Sequence, residues 1–399
     1  MTQPRPTTRG LALAATALAL TAMLTACAQD GVKDNGKDRA PTGTVGDSQA
    51  GVEEATAQLA TWAAPVTAYP EEPALSAPVD LTGKNVHIVA LGDQIPVIHG
   101  VAVGLEDALS AVGATSTICD GKFNPTAVAD CLKTAGDQGA DAVVSLFIDY
   151  EMAGPAFDDL AGQGVKVLVG GVEPSGGRES DDTLAFYDNT ARVDALYEAM
   201  SVSAVANGGA DANLLWLKLM DSTTTRGASD KGIAKAQELC PTCGVASAEF
   251  TTANLDKLPS AVSAALVSHP DTSVLIVPVD SFVPPALQGV QSAGYADKVQ
   301  VVSSSSDLAG LQRVKDGQQV SDLGTPVIYE GWKYANGLMQ LLAGDAVVPV
   351  AAEDMVTRDF NTDNVGGLDL SPDAYFTPDW FGDDSFKQGF LTAWGVDAP

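Results

Sequence analysis

The chain has 399 residues; 45% are hydrophobic, 18% charged and 6% aromatic, and 22 Lys+Arg against 51 Asp+Glu leave a formal net charge of −29. So apolar a chain buries enough surface to fold, which excludes wholesale disorder, and its length suggests two domains of about 100–200 residues each. The acid excess speaks against nucleic acid as a partner, because phosphate binding needs a basic stripe and counterion release; it reads as a solvated surface that keeps an exported protein soluble.

Arg5 and Arg9 open the chain with positive charge, and an apolar run from Leu11 to Met23 follows. That run is shorter than the roughly 20 apolar residues of a spanning helix and has the order of a signal peptide. Leu24-Thr25-Ala26-Cys27 closes it and resembles the bacterial lipobox, in which the Cys is diacylated and becomes the first residue after cleavage. The resemblance implies a signal peptide over 1–26, lipidation at Cys27, and a place on the extracytoplasmic face of the cell membrane held by that lipid alone. No other apolar run is long enough to span a bilayer. An ordinary signal peptide with a chance Cys is the alternative; Arg5 and Arg9 are not adjacent, which speaks against a twin-arginine signal. Residues 27–84 are expected as a flexible tether and lead-in: polar and rich in Gly and Asp to about Ala50, one helix over Gly51–Ala64, then a proline-containing extended stretch to Thr82.

From Asn85 onward strands and helices alternate. Apolar runs at Val86–Leu91, Ser116–Cys119, Ala142–Phe147, Val165–Gly170 and Thr183–Tyr187 predict strands, with helices over Val101–Val112, Thr126–Ala135 and Ala156–Ala161. Such continuous apolar strands are expected where helices cover both faces of a parallel sheet. After a helix at Thr190–Ala206 the rhythm restarts. Strands follow at Asn213–Leu219, Val245–Phe250, Ser273–Val277 and Val299–Val302, helices at Arg226–Leu239, Leu255–Ser268, Pro285–Ala293 and Leu308–Val314, and a long helix at Val327–Leu342. The fold class is α/β, two doubly wound, Rossmann-like parallel sheets side by side. Ligands of such sheets lie beyond the carboxyl ends of the strands, so two facing sheets define a cleft.

Besides Cys27, the cysteines are Cys119, Cys131, Cys240 and Cys243. An even number in an exported chain suggests disulfides; three pairings are open, and Cys119–Cys131 with Cys240–Cys243 is the simplest, since each pair brackets one strand–helix or helix–strand junction. Cys240-Pro-Thr-Cys243 has redox spacing, but it follows a helical segment instead of opening one, so no helix N-terminus lowers a thiol pKa. His87, His99 and His269 are scattered and no second Cys/His pair completes a zinc site; neither metal nor cofactor is expected.

Asp120-Gly-Lys-Phe-Asn-Pro125, Gly136-Asp-Gln-Gly-Ala-Asp-Ala142, Tyr187-Asp188-Asn189, Thr224-Thr-Arg226, His269-Pro-Asp271 leading to Val279-Asp280, and Val301-Val302 before Asp316-Gly317 form an ordered series. The series resembles the type 1 periplasmic binding proteins of ABC importers, in the ribose/galactose-binding branch, over about Val86–Val350. That resemblance implies three crossings between lobes, near Asp188–Asn189, Ser321–Asp322 and Pro349. Lobe I is then 85–187 plus 323–349, and lobe II is 188–322 plus 350–399. It implies no enzyme but a monomeric, lipid-anchored solute-binding protein. The hinge closes around one small polar solute (carbohydrate, polyol or nucleoside), which passes to the transmembrane subunits of an ABC permease. Tyr375, Phe376, Trp380 and Phe381 in the long tail are expected on lobe II, or as a lid over the cleft.

The resemblance also suggests ligand residues. Arg226 matches a gripping charge, with a surface ion pair as the alternative. Asp280 ends a buried strand, where it accepts ligand hydroxyls or caps a helix. Asp322 lies at a crossing, as a ligand residue or a hinge turn, and Ser305 stands where the family carries an Asp. Asp93 and Gln94 follow the first strand, toward the cleft or in a solvated loop. Phe147, Tyr150 and Tyr187 end strands, as stacking rings or plain core. The family's sugar-stacking aromatic pair is replaced by Ile95-Pro-Val-Ile98, and its Asp-Arg pair by Gly170-Gly-Val-Glu173. A pentose or hexose is therefore not specified. A chemosensory receptor of the same fold and an exported hydrolase are the other readings; no G-x-S-x-G elbow, H-E-x-x-H or phosphate loop supports the latter.

Overall fold

The computed structural model describes residues 43–396; the expected signal peptide and Cys27 lie outside them. The first element is helix α1 (Val45–Trp62). Thr44 opens it with a capping box: its hydroxyl accepts from Asp47 N–H while the Asp47 carboxylate accepts from Thr44 N–H. Residues 45–50, expected as tether, are therefore helical, because the cap lies upstream of the apolar pattern. Ser48, on the buried face of α1, accepts from Thr242 N–H at 3.0 Å.

Strands β1 (Asn85–Ala90), β2 (Thr115–Asp120), β3 (Ala142–Leu146), β4 (Lys166–Gly170) and β5 (Leu184–Tyr187) form one all-parallel sheet in the order β2-β1-β3-β4-β5. Helices α2 (Pro96–Ala111), α3 (Pro125–Asp137) and α4 (Gly154–Gly162) connect the first four. Pro96 and Pro125 sit in the first turn of their helices, where a missing N–H breaks no hydrogen bond. Helix α5 (Thr190–Gly208) leads into the second sheet. Its strands are β6 (Asn213–Leu219), β7 (Gly244–Phe250), β8 (Val274–Val277), β9 (Gln300–Ser304), β10 (Ser321–Gly324) and β11 (Arg358–Asn361), in the order β11-β10-β9-β8-β6-β7, with β11 antiparallel. Helices α6 (Thr223–Leu239), α7 (Leu258–Ser268), α8 (Val283–Ala293) and α9 (Leu308–Lys315) cover it. Apolar layers fill both faces of each sheet.

The chain leaves lobe I between β5 and α5. It returns at Thr325–Pro326, where β10 ends and α10 (Val327–Ala343) begins against α2 and β4. Ser321 and Asp322, expected at this crossing, lie inside β10, in register with Val302 and Ser303. The strand is Ser-Asp-Leu-Gly, too polar to read as one. Close approach fixes the α2–α10 contact: a Cβ at Gly331 would meet Gly104 C at 2.3 Å, and one at Gly104 would meet Ile328 O at 2.6 Å. Val350 N–H donates to Asp188 O at 2.9 Å, so the third pass lies beside the first.

Both ends of the described chain add further passes. The tail goes back to lobe I after β11, and α11 (Ser385–Trp394) packs on α10. Trp394 stacks on Trp332 at 5.5 Å and donates Nε1–H to Asn336 Oδ1 at 2.8 Å. Tyr375, Trp380 and Phe381 join the apolar cluster of α2 and α10, while Phe376 meets His99 edge-on at 5.5 Å. The tail aromatics thus lie between the lobes and not on lobe II alone as expected: a Cβ at Gly100 of α2 would meet the Tyr375 ring, while Phe381 meets Phe360 of β11 edge-on at 5.3 Å and Arg358 of β11 donates to Trp380 O. Residues 66–75, expected as a loose lead-in, are bound to the same place: Val66 N–H donates to Phe381 O at 2.6 Å and Leu75 N–H to Ala393 O at 3.0 Å. Glu72 accepts from Lys333 and Asn336, both at 2.8 Å.

Cys119–Cys131 joins the end of β2 to α3, and Cys240–Cys243 spans the turn after α6. Among the described residues no helix is long and apolar enough to cross a membrane, and no cluster of His, Cys, Asp or Glu is placed to hold a metal.

Candidate functional site

The carboxyl ends of the two sheets face one another across a cleft. Lobe I contributes Leu91 after β1, Phe123 after β2, Phe147 after β3 and Val172 after β4, with Ile95 and Ile98 at the start of α2. Lobe II contributes Asp221 after β6, Thr252 after β7, Phe282 after β8, Ser305 after β9 and Thr325 after β10. Arg192, Leu196 and Tyr197 line it from α5. Parallel strands place their carboxyl ends, and hence their loops, at one edge, and here the two edges meet.

The backbone is strained where it lines this cleft. Among the described residues, the non-glycine residues with positive φ are Lys122, Phe123, Phe147, Ser305 and Ser306, at 53°, 52°, 61°, 106° and 49°. Phe123, Phe147 and Ser305 line the cleft, and the other two are their chain neighbours. Such conformations cost about 1–3 kcal/mol each and persist where surrounding structure over-determines them, often at functional sites. Gly92 seats one of the rings: a Cβ there would stand 2.0 Å from Phe123 Cε2.

Charge in the cleft is sparse. Asp221 is its one acid among the described residues; it accepts from Thr252 N–H at 3.0 Å and from Thr252 Oγ1 at 2.9 Å. Burial raises its pKa above the ordinary carboxylate value, and the Thr252 hydrogen bonds only partly offset this. Arg192 is the one base among the described residues there: Nη1 donates to Thr325 Oγ1 at 3.1 Å, and Nε lies 3.2 Å from Glu330 Oε2, an ion pair without hydrogen-bond alignment. At the cleft mouth Asp149 of lobe I accepts from Thr223 of lobe II, from N–H at 3.3 Å and Oγ1 at 3.2 Å. That carboxylate caps the first turn of α6, where the helix dipole favours it.

Of the residues expected at the site, Phe147 and Ser305 line the cleft; Asp93, Gln94, Tyr150, Tyr187, Arg226, Asp280 and Asp322 do not. Gln94 is exposed, and Asp93 pairs with His99 Nδ1 at 2.9 Å. Tyr150 is core, stacked on Phe157 with its hydroxyl on Asp158 at 2.6 Å, and Tyr187 packs edge-on against Tyr334. Arg226 is exposed and reaches Met220 O at 3.3 Å; its neighbour Thr225 faces the cleft, since one residue turns a helix by about 100°.

Asp280 and Asp322 are fully buried behind the cleft. Arg313 Nη2 donates to Asp280 at 3.1 Å, Asp307 N–H to Asp280 at 2.9 Å, and Ser306 N–H to Asp322 at 3.0 Å. Three carboxyls here share one guanidinium. Burial and the charge of Asp280 push Asp307 up to about 7, and burial with the same neighbour lifts Asp322 well above the carboxylate range. This network serves the fold, and it explains why β10 is polar. Asp221, Thr252, Phe123 and Phe282 were not legible as site residues. Each lies two to five residues beyond the carboxyl end of a strand, and that position was the available signal.

A model of the periplasmic binding protein domain matches residues 88–346. The chain belongs to this family. No curated protein matches it significantly. Among solved structures, this periplasmic binding protein is similar to the Caulobacter myo-inositol binding protein with myo-inositol, at 20% identity and TM-score 0.59, covering 73% of this chain and 97% of that one. An Agrobacterium vitis ABC transporter solute binding protein with allitol gives 17% and 0.57, covering 72% and 98%. The 5-methylthioribose transporter solute binding protein of Thermotoga lettingae gives 13% and 0.58, covering 75% and 98%. At these identities the likeness is one of fold: two lobes, each a parallel α/β sheet. The family is one of substrate-binding proteins, and a solute-binding role follows from membership.

Proposed function

We propose that this periplasmic binding protein is the receptor of an ABC importer, anchored by lipid on Cys27 to the extracytoplasmic face of the membrane. It works as a monomer that takes one small organic solute into the interlobe cleft and hands it to the permease transmembrane subunits. The observation that carries this reading is the cleft itself, to which strand ends of both sheets contribute and where the strained non-glycine residues gather. A solute touching both lobes favours the closed arrangement by its differential affinity for it, and the permease reads that arrangement. The sugars and polyols bound by the structural relatives indicate the size of solute; its polarity depends on this cleft.

Small-angle scattering of the chain from residue 43, with a panel of small solutes, tests the receptor role. One chemical class should compact the protein and raise its melting temperature, and be recovered unchanged. A solute at 100 times its Kd adds about 2.7 kcal/mol. Chemical turnover of the solute, or no compaction by any class, overturns the reading. Detergent-phase partitioning of the full-length protein, abolished by Cys27→Ala, tests the anchor.

A further inference from the structure

The two walls of the cleft are chemically unlike. Every lobe I residue on it is apolar or glycine: after the strands Leu91, Phe123, Phe147 and Gly171-Val172, and at α2 Ile95, Val97 and Ile98. None of these side chains donates or accepts a hydrogen bond. The polar groups all stand on lobe II and at the hinge, chiefly the hydroxyls of Ser222, Thr225, Thr252, Ser305 and Thr325, with Asp221 among them. A ring carrying hydroxyls around its edge would turn half of them toward lobe I and leave them without partners there, which costs affinity for each. A flat or branched apolar body instead fits the Phe123 and Phe147 rings on one side and Phe282 and Leu196 on the other.

The charges narrow the other end. Arg192 has its charge balanced by Glu330 and one donor spent on Thr325, so it offers hydrogen bonds but not an unneutralised cation. The N-terminus of α6 is already covered by the Asp149 carboxylate. Asp221 has only Thr252 as a hydrogen-bond partner and no cation beside it among the described residues. A half-buried carboxylate left without a counter-charge is an acceptor for a ligand cation, and it repels an anion.

We infer that the solute is a small amphiphile with an apolar, ring-sized body and one cationic hydrogen-bond-donating end, of the class of an aromatic primary amine, its ammonium on Asp221 and its body between the Phe123/Phe147 and Phe282 walls. This rests on the reading of the cleft as the solute site. It sets this cleft apart from one built for a polyol.

The test is calorimetric titration of the chain from residue 43 with 2-phenylethylamine, its neutral isostere 2-phenylethanol, the anion 3-phenylpropanoate, and myo-inositol. The amine is expected to bind about tenfold or more tightly than the alcohol, with the anion and myo-inositol giving no measurable heat. Asp221→Asn should erase the gap between amine and alcohol. The ranking in the unaltered protein needs no variant to fold. Tighter binding of myo-inositol than of the amine overturns the inference and leaves the receptor reading standing. Equal binding of amine and alcohol overturns the role of Asp221. Silence from all four, together with no compaction by any solute class in scattering, overturns the receptor reading with it.

Discussion

Asp307 illustrates how one residue can be both necessary and costly. Its carboxylate caps α9, accepting from Gly310 N–H at 2.7 Å, yet it lies buried beside Asp280 and Asp322 with one guanidinium among the three. Its folded pKa is raised to about 7 against about 4 in an unfolded chain. Between those values the folded protein binds the extra proton, so this group makes stability fall as pH rises from 4 to 7. Asp307→Asn keeps a capping oxygen and removes the charge. It should leave denaturant stability unchanged at pH 4 and raise it by roughly 2–4 kcal/mol at pH 8. A variant that is destabilised equally at both pH values would mean that the charge itself is required.

At the scale of elements, the α2–α10 contact is set by Gly104 and Gly331, whose backbones touch. Gly331→Ala puts a methyl 2.3 Å from backbone atoms that have no rotamer to escape into. Although Ala is the better helix former by about 1 kcal/mol, overpacking at a backbone contact should win and cost about 2 kcal/mol net, read from the urea midpoint. Strands β1, β3, β4, β5, β6 and β8 were legible because each is an apolar run largely buried on both faces, while the more exposed β2 and the alternating β7 were placed by the strand–helix rhythm around them. Strands β10 and β11 were not, since Ser321, Asp322 and Asp359 point into a buried hydrogen-bond network that looks like loop chemistry in a sequence. The site was half legible for a related reason. Strand ends announce where a cleft forms, but not which of two adjacent residues faces it, as Thr225 and Arg226 show. The aromatic tail was visible as a cluster; that it would lie between α2 and β11 depended on partners that no local pattern names.

For the molecule as a whole, Asp149 of lobe I meets Thr223 of lobe II across the cleft mouth. If that clasp biases the resting state, Asp149→Ala should enlarge the radius of gyration of the ligand-free protein in scattering. Its melting temperature should stay nearly unchanged, because the pair is only partly buried and contributes about 1 kcal/mol or less. An unchanged radius would show that the hinge alone sets the angle.

The pairing of Val66 with Phe381 and of Leu75 with Ala393 has a consequence for how the chain is made. Residues 66–75 and 381–393 close lobe I against each other, so a nascent chain cannot finish this half until α11 has been synthesised. Contacts that span so much sequence close slowly. On the export route proposed above, such delay would keep a precursor pliable for the crossing and let it assemble on the far side.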